Sequence, residues 1–135
     1  MINIRDVIIC GAGPAGSSLA YFLSRKGFDI LLLDKMKFPR VKPCAGAFQV
    51  SLADFFPFSL EPIAEDKATG FYFAKNGRHF SIETGNPIAY TVDRKKFDDF
   101  LLKKAVSSGA DFLEECRVLK VEGETVYSTL GNFKG

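Results

Sequence analysis

Near the amino terminus, the residues Gly11-Ala12-Gly13-Pro14-Ala15-Gly16 have the spacing G-x-G-x-x-G. They follow the apolar run Val7 to Cys10 and open a segment in which Ala15, Leu19, Phe22 and Leu23 recur at helical spacing. Between a strand and a helix each glycine has a chemical use. Gly11 permits a tight turn, Gly13 lets bare main chain approach a pyrophosphate, and Gly16 lets the helix pack close to the strand. Pro14 suits a first helical position because its missing N–H would be unpaired there anyway, and the amides of the first turn, from Ala15 onward, point toward phosphates. Asp34 ends a second apolar run, where a carboxylate accepts hydrogen bonds from an adenosine ribose and disfavours a 2′-phosphate. The glycines alone would serve any tight strand-to-helix turn. Strand, helix and acidic residue together predict a dinucleotide site.

From Lys35 the chain turns basic and proline-rich, with Lys37, Pro39, Arg40, Lys42 and Pro43 leading into Cys44-Ala45-Gly46-Ala47. A stretch of this kind predicts a long working loop. Its cations would attract phosphates or simply be solvated, and Cys44, in a basic neighbourhood, would be either a reactive thiol or packing. Arg94, Lys95 and Lys96 open a predicted helix, where cations oppose the dipole unless an anion is near, so Arg94 is a candidate phosphate contact. His79, beside a turn, reads as a surface residue.

These groups need elements to hold them. The pattern predicts a central strand at Val7 to Cys10, a helix over 14–26 capped by Gly27, and a buried strand from Phe28 to Leu33. A short helix is expected around Gln49 to Phe55. Asn76-Gly77 between Phe71-Tyr72-Phe73 and Phe80-Ser81-Ile82 predicts a β-hairpin at about 70–84, its aromatics packed as core. A short strand at Tyr90 to Val92 precedes a helix over 94–107, capped by Asp93 and ended by Gly109. Strand-like segments follow at Asp111 to Leu113, Arg117 to Val121 and Thr125 to Thr129. The expected fold class is α/β: one Rossmann-like FAD/NAD(P)-binding domain over 1–135 with a parallel sheet and a β-hairpin insertion. Because a basic loop and a hairpin stand where a simple NAD domain continues with helix and strand, FAD is the favoured dinucleotide.

Composition narrows the function. The chain has 135 residues, 47% hydrophobic and 25% charged, with 18 basic against 16 acidic residues. The excess of +2 is too small for a nucleic-acid footprint. Three cysteines without a C-x-x-C pair suggest neither a disulfide framework nor a metal site, and Cys10 and Cys116 read as buried thiols. No apolar run approaches the ~20 residues that cross a bilayer, so a cytoplasmic protein with peripheral membrane contact at most is expected.

The runs DVIICGAGPAGSSLAYFLSRKGFDILLLDK, FPRVKPCAGA and YTVDRKKFDDFLLKKAVSSGADF resemble the N-terminal part of the geranylgeranyl reductase family, within the flavoproteins related to para-hydroxybenzoate hydroxylase. The resemblance implies an enzyme that uses reduced FAD to saturate carbon–carbon double bonds of isoprenoid chains, recharged by NADPH or ferredoxin, with an isoprenoid or other apolar small molecule as partner. It assigns Gly11, Gly13, Pro14, Ala15 and Gly16 to the FAD pyrophosphate, Asp34 and Lys35 to the adenosine side, and Arg94 to the FAD-facing helix. Cys44, Ala45 and Gly46 fall beside the isoalloxazine, Cys44 being the candidate catalytic residue. Ala45 and Ala47 stand where the family commonly has glycine. The family's later Gly-Asp motif is not in the sequence, so the domain is expected to be incomplete at its C-terminal side. An aromatic monooxygenase or halogenase-like flavoprotein, and a non-catalytic dinucleotide-binding remnant, are the alternatives.

Overall fold

The computed structural model describes residues 3–135. In chain order the strands and helices are β1 (Asn3–Ile4), β2 (Val7–Cys10), α1 (Pro14–Ser24), β3 (Ile30–Leu33), β4 (Ala47–Gln49), α2 (Ser51–Phe55), β5 (Asp66–Ala68), β6 (Gly70–Lys75), β7 (Arg78–Glu83), β8 (Ala89–Thr91), α3 (Arg94–Ser107), β9 (Asp111–Leu113), β10 (Val118–Glu122), β11 (Thr125–Ser128) and β12 (Gly131–Lys134). A single 3₁₀ turn covers Glu61–Ile63. They form two compact units, residues up to 41 with 97–135, and residues 42–96.

In the first unit β2, β3 and β9 pair in parallel in that order. β3 is the middle strand, and all four of its residues, Ile30 to Leu33, are fully buried, whereas Phe28, expected to open this buried strand, lies before it and is exposed. The expectation of a central β2 is therefore corrected: among the described residues β2 takes the edge, Val7 and Ile8 are half-buried, and Cys10 is exposed. Leu31 and Leu33 pack with Cys116, Val126 and Phe133, which covers one face of β3 with the sheet ordered β1-β12-β11-β10. Successive strand residues point to opposite faces, so Ile30 and Leu32 look the other way. α1 also packs on β3.

α1 turns a different stripe inward from the one its large residues suggest. Ser17, Ala20 and Tyr21 are buried, whereas Leu19 is 48% exposed and Phe22 and Leu23 are half-buried. The close approach of Gly16 to the strand end sets the helix rotation, and the residue one turn further on that face is Ala20. The helix also stops at Ser24, earlier than the expected 26, because the Lys26 and Gly27 N–H groups bond back three residues to Leu23 and Ser24. α3 follows expectation: the Asp93 Oδ1 accepts the Lys95 N–H at 2.8 Å, and Phe97, Leu101, Leu102 and Ala105 are buried.

Arg5 links the two strand starts. Its Nη1 lies 2.7 Å from Asp29 Oδ1 and 2.6 Å from Asp111 Oδ2, and those carboxylates raise its pKa.

The second unit holds an antiparallel sheet ordered β4-β8-β5 and the β6–β7 hairpin. The hairpin has the expected turn, with Asn76 and Gly77 both at positive φ. Its aromatics are not core: Phe71, Tyr72, Phe73 and Phe80 are all exposed, as is Ile82. Alternation along the register puts Phe71, Phe73, Phe80 and Ile82 on one face, with the Phe73 and Phe80 rings stacked at 4.8 Å. β4, β5 and β12, each three or four residues long, have no counterpart in the sequence pattern.

Candidate cofactor site

The expected site residues fall in both units. Gly11, Gly13, Pro14, Ala15, Gly16, Asp34 and Lys35 belong to the first, and Cys44, Ala45, Gly46 and Arg94 to the second.

In the first unit the turn from β2 into α1 is built as the glycine spacing requires. Gly11 has φ +110°, a region closed to most side chains, and its N–H donates to the Leu33 carbonyl at 2.7 Å. A Cβ on Gly16 would overlap the Gly11 carbonyl oxygen and press on Ile9. Gly13 is the N-cap of α1, in extended backbone, with no side-chain cap and no acidic residue in the first turn of the helix. A Cβ there would meet one atom, Nη2 of Arg40, at 3.5 Å. The cradle in front of Gly13 is thus bare main chain facing a guanidinium, which suits a diphosphate.

Asp34, at the end of β3, is 8% exposed. Its Oδ2 accepts the Ala12 N–H and its Oδ1 the Met36 N–H, each at 2.8 Å. The carboxylate therefore ties the glycine turn to the end of β3. Two oxygens with about four lone-pair sites retain capacity for ribose hydroxyls. Lys35 is exposed. Beyond Asp34 an open cavity of about 310 Å³ is lined by Cys10, Gly11, Asp34, Lys35, Cys116 and Arg117, among others. It lies at the carboxyl ends of β2 and β3, where open α/β sheets bind ligands.

The sequence left Arg40 among the loop cations that attract phosphates or are solvated, and Asp98 unassigned. Arg40 looks like one more loop cation, yet its side chain is 11% exposed and Nη2 pairs with Asp98 Oδ2 at 3.1 Å. Asp98, on α3, is fully buried. Its signal was legible, since it falls on the buried stripe with Leu101, Leu102 and Ala105, and a charge there needs a partner.

In the second unit Gly46 has φ +66°, and a Cβ on it would overlap the Val92 carbonyl oxygen. Its own carbonyl accepts the Val92 N–H at 2.7 Å, which fastens the Cys44 loop to the chain entering α3. Cys44 is exposed, and its thiol pKa is lowered first by the Gly46 N–H and then by the Arg94 guanidinium, both donating to sulfur. Arg94 and Cys44 are thus brought together. Ala45 is exposed and Gly46 buried. Partial burial and the neighbouring Cys116 push the Cys10 thiol pKa up. Among the described residues no cluster is placed to hold a metal, and no helix is long and apolar enough to cross a membrane.

A parallel sheet, a bare glycine turn and an acidic residue at the next strand end define a dinucleotide-binding α/β domain. The model of the FAD binding domain matches residues 5–130, and the chain belongs to that family. It is similar to a geranylgeranyl diphosphate reductase of Rhodobacter capsulatus, 31% identical over 90% of this chain and 31% of the relative. A digeranylgeranylglycerophospholipid reductase of Methanopyrus kandleri is 32% identical over 88% of this chain and 33% of its own. Among solved structures, a geranylgeranyl bacteriochlorophyll reductase-like protein of Thermoplasma acidophilum shares the fold, with TM-score 0.78 and 20% identity over 99% of this chain and 37% of its own. The chain spans about a third of the length of these relatives.

Proposed function

We propose that this chain is the FAD-binding part of an oxidoreductase that saturates carbon–carbon double bonds in an isoprenoid chain. The observation that carries the cofactor reading is the cradle at Gly13: main chain without a side chain, at a helix start without an acidic residue, facing Arg40. The substrate reading is supported by the names of two relatives, a geranylgeranyl diphosphate reductase and a digeranylgeranylglycerophospholipid reductase.

Each residue then has a task. Gly13, Ala15 and Gly16 offer amides to the diphosphate, Pro14 starts the helix without wasting a donor, and Asp34 takes the adenosine ribose while bracing the turn. The negative charge of Asp34 disfavours a 2′-phosphate, so NADPH, if it is the electron donor in place of ferredoxin, is not the nucleotide held here. The resemblance assigns Cys44, Ala45 and Gly46 to the surroundings of the isoalloxazine, with Cys44 holding its proton less tightly than a free thiol, and Arg94 to the phosphates of FAD. FAD, when bound, supplies the redox chemistry that protein side chains lack.

The test is reconstitution. The purified chain is titrated with FAD, and the full-length oxidoreductase of which it is the FAD-binding part is incubated anaerobically with geranylgeranyl diphosphate and dithionite. Mass spectrometry should show the gain of one hydrogen molecule per saturated bond. A chain that binds FAD and leaves the substrate unchanged, yet consumes oxygen with an aromatic substrate, would favour the monooxygenase class.

A further inference from the structure

We propose that Arg40 is a diphosphate-binding residue of the glycine turn and that Asp98 is the positioning residue that keeps it there. The proposal rests on the FAD reading and adds two residues to it. The basic stretch after β3 contains Lys35, Lys37, Arg40 and Lys42, of which the three lysines are exposed and Arg40 is withdrawn from solvent. Withdrawing a long cationic side chain loses hydration and rotamer freedom, so something must hold it. Two contacts do. Asp98, buried on α3, pairs with Nη2 at 3.1 Å. Phe38 lies under the guanidinium with its ring centroid 5.0 Å from Cζ, and is itself braced edge-on by Phe112 at 5.5 Å.

The position so fixed is informative. The same Nη2 stands 3.5 Å from where a Gly13 side chain would begin. Around one bare space stand the positive end of a helix and a guanidinium, both of which attract an anion. Asp98 balances the guanidinium's charge but leaves it donors to offer. A carboxylate engages at most two of the five N–H donors of an arginine, so at least three remain for a second anion. Arginine, unlike lysine, can bridge a carboxylate and a phosphate in one plane. Asp98 therefore acts through Arg40, presetting the fork before the diphosphate arrives.

The experiment measures equilibrium affinity of the purified chain for FAD, ADP and adenosine, in wild type, Arg40→Gln, Asp98→Asn and the double variant. The double variant leaves no unpaired buried charge and so protects the fold. Expected are losses of about tenfold or more for FAD and ADP in Arg40→Gln, because a charge-assisted contact is gone, with adenosine affinity unchanged. Asp98→Asn should weaken FAD and ADP in the wild-type background and have no further effect when Arg40 is already Gln. Undiminished FAD and ADP binding in Arg40→Gln and in the double variant, beside a wild type that binds both, would overturn the inference alone. Additive losses from the two substitutions, or an equal loss for adenosine, would reduce Asp98 to a fold contact and overturn its positioning role. A wild type that binds neither FAD nor ADP overturns the FAD reading and this inference with it.

Discussion

Asp34 braces the turn it faces: one carboxylate oxygen takes the Ala12 N–H at 2.8 Å and the other the Met36 N–H at 2.8 Å. A single buried side chain thus joins the glycine turn, the end of β3 and the start of the basic loop. Its role is structural before any ligand is present.

Asp34→Ala should consequently have two effects. Two N–H groups lose their acceptor, which costs about 1–3 kcal/mol of folding stability for each that stays buried, read from urea unfolding. FAD affinity should fall by a further ~1–3 kcal/mol through loss of the ribose contacts. Unfolding that shifts without any change in affinity would leave Asp34 as a brace only.

Gly13 and Gly16 should separate binding from folding. Gly16→Ala forces a methyl into the Gly11 carbonyl, so a destabilisation of about 3 kcal/mol or more is expected, visible as a lowered thermal midpoint. Gly13→Ala meets one flexible side chain at contact distance and keeps a backbone conformation open to alanine, so the fold should survive. Its FAD affinity should nevertheless drop by about 1–3 kcal/mol, because the methyl occupies the space reserved for the diphosphate.

The three thiols should differ in reactivity. A lowered pKa puts more of Cys44 in the thiolate form at neutral pH, and the sulfur is exposed; Cys10 is shifted the other way, and Cys116 is buried. Iodoacetamide labelling followed by peptide mass mapping should modify Cys44 first, Cys10 next and Cys116 last. Its rate at Cys44 should rise with pH to a plateau reached below that of a free thiol. Arg94→Gln should move the profile toward higher pH; an unchanged profile would mean the Gly46 amide alone sets it.

Arg5 joins the start of β3 to that of β9 through Asp29 and Asp111. With its side chain 15% exposed and two short charge-assisted contacts, Arg5→Ala should cost about 1–3 kcal/mol in a denaturant melt.

How much of this was written in the sequence depends on the kind of signal. The glycine turn, β3, the hairpin turn at Asn76-Gly77 and the Asp93 cap were legible because each is fixed by local sterics or local hydrogen bonds. The rotation of α1 was not, since Leu19 and Phe22 carry more apolar area than Ser17 and Ala20, and only the tertiary approach of Gly16 decides which stripe turns inward. The hairpin misled for the same reason in reverse: Phe71, Phe73 and Phe80 look like core, but local pattern cannot say what covers a face. Cys10 ends an apolar run and yet lies exposed at the strand's end. Arg40 and Asp98, far apart in the chain, could not be matched from spacing, although Asp98 on the apolar stripe of α3 signalled that some cation must come to it.

The central claim is that the diphosphate of FAD lies against bare main chain at Gly13. Equilibrium titration of the purified chain with FAD, beside Gly13→Val shown by thermal unfolding to be folded, tests it most directly. The account predicts a yellow wild-type complex and a variant that stays colourless under the same conditions. Equal retention of FAD by both would contradict it.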